Sequence, residues 1–263
     1  MKRYRFSLIV LLCCTCLACN DFLTEYSHDQ AYVQSYSDLD ELIIGSGYMK
    51  CAGTYDYTYY STAKETYYPY VHFMADETEV RNTGTYDYYG ESFLKMFYGF
   101  YTWQKDVDKD HEGTVGWTEN QDWINLYKHI NITNIILSQI DNQTIQTEND
   151  QRNVNRIKGE AHFLRGAYYF VLANLYGKPY SSISAKTDLA VPIKLTENIE
   201  DKVYTRATVE KTYEQVLEDL LTAEKHLKGQ SRKSVTRAGH TATCLLLSRV
   251  YLYMQNYTEA LKW

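Results

Sequence analysis

Seven positions, Val154, Ile157, Ala161, Leu164, Tyr168, Val171 and Leu175, recur at alternating steps of three and four. Only a helix puts residues so spaced on one face, because strand side chains alternate with a period of two. Gly177 and Pro179 follow as a stop. The steps 4-3-4-3 through Trp123, Tyr127, Ile130, Asn134 and Leu137 predict an earlier helix from about Asp122, and the two should pair as a hairpin. Thr208 suits the N-cap of a third helix, with Glu210 near its positive end and the face Val209, Tyr213, Val216, Leu220, Ala223 and Leu227. A fourth is expected over about 237–254, a tight turn at Gln255-Asn256-Tyr257, and the start of a fifth from Thr258. The expected fold class is all-α.

The stretch 246–260 is similar to the turn of a tetratricopeptide repeat, in which small residues let helices approach and Tyr251 and Tyr257 would fill the hole between them. Upstream, Leu39, Leu42 and Ile43, with Asp38, Asp40 and Glu41 in the first turn, predict a helix from Ser37 to about Met49. Residues 51–121 carry neither period. They are rich in Tyr, Thr, Gly and Asp, and predict a long irregular insertion with a short helix over about 93–103. Long ordered loops of this kind are more often functional than decorative.

At the N-terminus Lys2, Arg3 and Arg5 precede an uncharged apolar run over 6–18. The run is shorter than the roughly 20 apolar residues that span a bilayer, so it reads as a signal peptide. Its end, Cys16-Leu17-Ala18-Cys19, resembles a lipobox, although Cys16 stands where Leu is usual. The expected layout is a signal over 1–18, a tether over 19–30 carrying lipid on Cys19, and a body over 31–263. Two or three acyl chains anchor stably where one does not. Only Cys51 and Cys244 remain in that body, read as two buried free thiols rather than a disulfide.

Removing residues 1–18 takes three of the 27 basic residues and none of the 33 acidic ones, leaving 24 against 33 and a net charge of −9. That balance argues against nucleic acid as a partner. The last helix is too short to form usefully alone, so the chain is expected to be the N-terminal portion of a longer protein. No zinc-protease helix, nucleophile elbow or phosphate loop occurs, and the seven histidines are scattered, none beside a plausible Ser or Cys nucleophile in sequence. Neither cofactor nor metal is expected. Asp106, Asp108 and Asp110 alternate as calcium ligands do, but lack the loop's glycine and its closing glutamate, so a solvated acidic turn is the favoured reading. Paired carboxylates far apart in the chain leave glycoside hydrolysis open.

Four segments together resemble the SusD/RagB-like outer-membrane nutrient-binding lipoproteins. They are Cys19-Asn20-Asp21-Phe22-Leu23; the Trp123 to Asn131 stretch; the 157–179 stretch with Glu160, Ala161, Arg165, Tyr176, Gly177 and Pro179; and Arg206 to Tyr213 with Asp219, Leu220 and the Arg249 to Ala260 block. Gly166 stands where that family often has Ala. The resemblance implies an all-helical SusD-like fold with tetratricopeptide-like hairpins. It further implies a non-enzymatic surface lipoprotein on the outer membrane, which captures a glycan or peptide and passes it to a SusC-like TonB-dependent transporter. A surface-anchored glycoside hydrolase and a structural tetratricopeptide scaffold remain the alternatives.

Glycan binding needs aromatic faces and planar polar groups. The irregular region offers Asp76, Glu77, Arg81, Trp103, Trp117 and Asn120, of which Arg81, Trp103 and Trp117 are the preferred ligand contacts. Glu160 and Arg165 are expected to tie helices together, and Trp123 and Tyr127 to belong to the core before they serve as sugar platforms.

Overall fold

The computed structural model describes residues 33–49, 99, 102–105 and 121–263. Six α-helices lie among them: α1 Tyr36–Leu42, α2 Gln121–Ile140, α3 Glu148–Tyr176, α4 Val209–Leu227, α5 His240–Tyr253 and α6 Tyr257–Lys262. The described residues hold no strand, and an isolated bridge joins Leu189 to Thr208. None of the described helices is long and apolar enough to cross a membrane.

The central helix is α3, with α2 against one side and α4 against the other. Thr147 starts it, its hydroxyl accepting from the Asp150 amide while the Asp150 carboxylate accepts from the Thr147 amide. Gly177 ends it, its amide donating to the Ala173 carbonyl. A side chain at 177 would lie 2.5 Å from that carbonyl and 3.2 Å from the Ala190 Cβ. Val154, Ile157, Ala161, Leu164 and Tyr168 are buried as their spacing predicts, whereas Val171 and Leu175 are half-buried. All six predicted face positions of α4 are buried, behind the Thr208 cap. Glycines bring α3 and α4 together. A Cβ at Gly159 would stand 2.7 Å from Leu227 Cγ, and one at Gly166 3.1 Å from Leu220 Cγ.

The face of α2 is turned from expectation. Leu126, Ile130, Thr133, Asn134, Ile136 and Ile140 are buried, while Trp123, Tyr127 and Leu137 are only half-buried. Two flanks are covered at once: α3 lies on one, and on another α1 with the π-helix Ile43–Gly47 that continues it. That π-helix replaces the α-helix expected to reach Met49. Its wide turn leaves backbone carbonyls for side chains, Tyr168 donating to Gly47 at 2.6 Å and the His129 Nδ1 to Ser46 at 2.8 Å.

Helix α5 begins three residues later than expected, behind Gly239, which leaves Arg237 outside the helix. Gln255, with φ of 60°, turns the chain, and Asn256 caps α6 by accepting from the Glu259 amide. Ala260 sits in the α5–α6 crossing, where its carbonyl accepts from Ser248 at 2.6 Å. Tyr251 is half-buried and Tyr257 is 66% exposed, so Tyr257 does not fill the hole assigned to it. Cys244 is half-buried rather than buried, and Cys51 lies outside the described residues.

The connection 178–207 is irregular, and side chains of α2 and α3 hold its 192–196 stretch. Tyr127 donates to the Pro192 carbonyl at 2.6 Å, and Asn134 Nδ2 to the Lys194 and Thr196 carbonyls. The Tyr169 hydroxyl donates to the Lys194 carbonyl and accepts from the Lys194 amide, both at 2.8 Å.

Candidate functional site

Of the three preferred ligand contacts, Trp103 lies among the described residues; Arg81 and Trp117 lie outside them, as do Cys19, Asp106, Asp108 and Asp110. Gly99 is helical, and the Gln104 amide donates to its carbonyl at 2.8 Å. This six-residue closure ends a helix and places the penultimate residue in the left-handed region, a position usually given to glycine. Here that residue is Trp103, with φ of 57°. The conformation costs a side-chain-bearing residue about 1–2 kcal/mol. The residue is 66% exposed, so burial recovers little of that cost. An exposed ring on a constrained backbone is suited to stacking on the apolar face of a sugar.

Glu160 and Arg165 belong to two buried ionic clusters, as their structural reading expected. In the first, Arg156 contacts both Asp40 and Glu160 at 2.9 Å, and Arg237 contacts Asp40 at 2.5 Å and Glu160 at 2.8 Å. Tyr48 adds its hydroxyl to Glu160 and accepts from the Ala238 amide. Burial alone would raise the Asp40 carboxyl, but hydrogen bonds from Arg156, Arg237 and Lys233 outweigh it and hold the group well below the usual range. In the second cluster Arg165 and His162 converge on Asp219, and Arg165 Nη1 donates to the Asn134 amide oxygen. Asp219 is likewise held low against its burial by His162 and Arg165. No sequence signal announced Asp40 or Arg237 as partners, 197 residues apart.

One histidine does share a helix face with a thiol, at a spacing of i, i+4 that adjacency in sequence does not reveal. His240 accompanies Cys244 on α5, and His240 Nε2 lies 2.8 Å from Glu224 Oε1 on α4. The row resembles a nucleophile, base and carboxylate, but its geometry does not serve. Cys244 Sγ is 3.9 and 3.8 Å from the two ring nitrogens, so it lies on the line of neither lone pair. Burial and Glu224 also push the thiol up, away from the reactive thiolate.

Trp123 meets Tyr176 edge-on with centroids 5.0 Å apart and Tyr127 at 4.9 Å, which agrees with a packing role. Beside that pair, where α3 ends, an open groove of about 350 Å³ is lined by Tyr176, Lys178, Thr187, Asp188, Leu189 and Arg206. Arg206 was visible in sequence only as part of a family-like segment. Its Nε donates to the Ala190 carbonyl at 2.6 Å and its Nη2 to the carbonyls of Tyr176 and Leu189. Among the described residues no group of three or more His, Cys, Asp or Glu side chains is placed to hold a metal ion.

A family model described as starch-binding, associating with outer membrane, matches residues 60–252, well over half of the chain. No curated protein matches it in sequence. Among solved structures, a SusD superfamily protein from Bacteroides fragilis superposes with a TM-score of 0.63 at 24% identity, covering 88% of this chain and 49% of its own. A SusD superfamily protein from Bacteroides thetaiotaomicron VPI-5482 gives 0.62 at 24%, covering 87% and 44%. A carbohydrate binding protein of the same kind from Bacteroides vulgatus ATCC 8482 gives 0.61 at 22%, covering 86% and 43%. These likenesses show the fold, and the chain spans less than half the length of each.

Proposed function

The chain belongs to the SusD-like family of starch-binding proteins that associate with the outer membrane, and from that premise we propose that it is a surface nutrient-binding lipoprotein. It is exported by residues 1–18, held at the outer membrane through lipid on Cys19 and the 19–30 tether, and faces the exterior. It takes up a glycan, with a peptide as the second ligand class, and hands it to a SusC-like TonB-dependent transporter. It acts by binding and not by catalysis, and Trp103, Arg81 and Trp117 are its ligand contacts. Exposed Trp103 on its left-handed backbone is the observation that carries the assignment of the ring to ligand.

Two measurements test this reading. Titration calorimetry of the protein with maltoheptaose and a peptide pool should give saturable heat for the glycan, weakened about tenfold or more in Trp103→Ala. Equal affinity in that variant removes Trp103 from the site, and glycan fragments appearing during incubation make the protein a hydrolase. A palmitate analogue should label the wild type and not Cys19→Ala, and affinity purification from solubilised outer membrane should recover a large β-barrel transporter. Labelling of both forms, or recovery of no barrel, defeats the anchoring and delivery parts.

A further inference from the structure

The groove at the end of α3 is built from elements that cannot shift independently. Its lower wall is the α3 terminus, closed by Gly177, where a Cβ would stand 2.5 Å from the Ala173 carbonyl and 3.2 Å from the Ala190 Cβ. Its upper wall is the paired backbone of 188–191 and 206–209, joined by Ala190 N–H to Ala207 carbonyl at 2.8 Å, Ala207 N–H to Val191 carbonyl at 3.0 Å and Val209 N–H to Asp188 carbonyl at 2.8 Å. Arg206 crosses between the walls with its three carbonyl contacts. The space is therefore preformed. Its roughly 350 Å³ is at the low end for small-molecule sites, enough for one ring-sized ligand.

The chemistry of the lining selects the ligand. Tyr176 supplies an aromatic side chain, Asp188 a carboxylate, Thr187 a hydroxyl and Arg206 a planar cation whose Nη1 has no partner among the described residues. An anion is poorly served. Lys178 is already paired with Asp188 at 2.6 Å, two of the three Arg206 nitrogens are committed to carbonyls, and the α3 C-terminus presents the negative end of its dipole. A neutral polyhydroxylated ring suits this mixture, because a hydroxyl is both donor and acceptor and can donate to Asp188 while accepting from Arg206. We propose that this groove seats one neutral sugar residue of a glycan, as a binding site additional to the Trp103 contact. The proposal rests on the glycan-binding reading above.

Trp123 makes the site observable. It packs edge-on against Tyr176, and it is one of only four tryptophans in the chain. In protein labelled with 5-fluorotryptophan, each tryptophan gives its own fluorine NMR resonance, assigned by single Trp→Phe variants. Titrating maltotriose, cellotriose and mannotriose should move the Trp123 resonance saturably with at least one sugar. Thr187→Phe, which fills the groove from an exposed position, should weaken that response about tenfold, as should Asp188→Asn, which keeps the shape. A Trp103 or Trp117 resonance that moves while Trp123 stays still overturns the groove and leaves glycan binding intact. No movement of any tryptophan overturns both. Movement with inorganic phosphate and with none of the sugars makes the groove an anion site and defeats the proposal.

Discussion

Arg165 and Asp219 meet between α3 and α4 with Nη2 2.7 Å and Nε 3.0 Å from the two carboxylate oxygens, and both side chains are buried. Such a pair contributes little compared with an apolar substitute, yet breaking it strands a charge. Asp219→Ala should lower unfolding stability by about 3–5 kcal/mol, measured by urea denaturation, because Arg165 is left without its carboxylate. The double variant Arg165→Leu/Asp219→Leu should be less destabilised than that single change. Equal losses would mean that burial of the arginine carries no cost.

Asp40 and Asp219 are both depressed below their ordinary value of 3.8. A depressed carboxyl contributes stability that is present above the unfolded pKa and disappears as pH falls towards the folded one. The urea midpoint should thus hold from pH 7 to about 5 and drop steeply below about 4. Asp40→Asn should be less stable at pH 7 and show a shallower drop. A wild-type midpoint as high at pH 3 as at pH 7 would contradict the assignment.

Replacing a helical glycine by alanine ordinarily adds about 1 kcal/mol of helix stability. At Gly159 the added carbon would meet Leu227 at 2.7 Å, which reverses the sign. Gly159→Ala should destabilise by about 1–3 kcal/mol in thermal denaturation. Gly166→Ala, with nearest atoms at 3.1 and 3.2 Å, should cost less. A gain at 159 would show that α4 gives way more readily than its packing suggests.

Trp103→Gly releases a left-handed residue from its side-chain clash and should raise stability by about 1 kcal/mol. The same change should weaken glycan binding about tenfold or more, as is expected of Trp103→Ala. Opposite movement of the two readouts would be the mark of a residue kept for ligand at the expense of the fold. Parallel loss of both would instead make Trp103 a packing residue.

The helices of the hairpins were legible because one side of each had to be apolar, and α4, with a single covered face, matched at every predicted position. The faces of α2 blurred because two neighbours and the 192–196 segment cover it from different directions, which a single-stripe pattern does not express. The π-helix after α1 left no periodic trace. The buried clusters were half legible: Glu160 and Arg165 looked like ties between helices, but their partners Asp40, Arg237 and Asp219 depend on which segments meet in space. The groove by Tyr176 and Arg206 was illegible for the same reason. The carbonyls that orient Arg206 belong to backbone, and backbone polarity does not vary with sequence.

The contact between Asp40 and Arg237 closes a span of 197 residues, and it holds the first described helix against the body. Long-range closures form late, because the chain entropy they cost is repaid only once the intervening elements exist. A polypeptide emerging N-terminus first presents Asp40 well before its final guanidinium partner arrives. Helix α1 is then a provisional element during synthesis, leaning on Arg156 until the segment before α5 appears. Its locking waits for a residue synthesised 197 positions later.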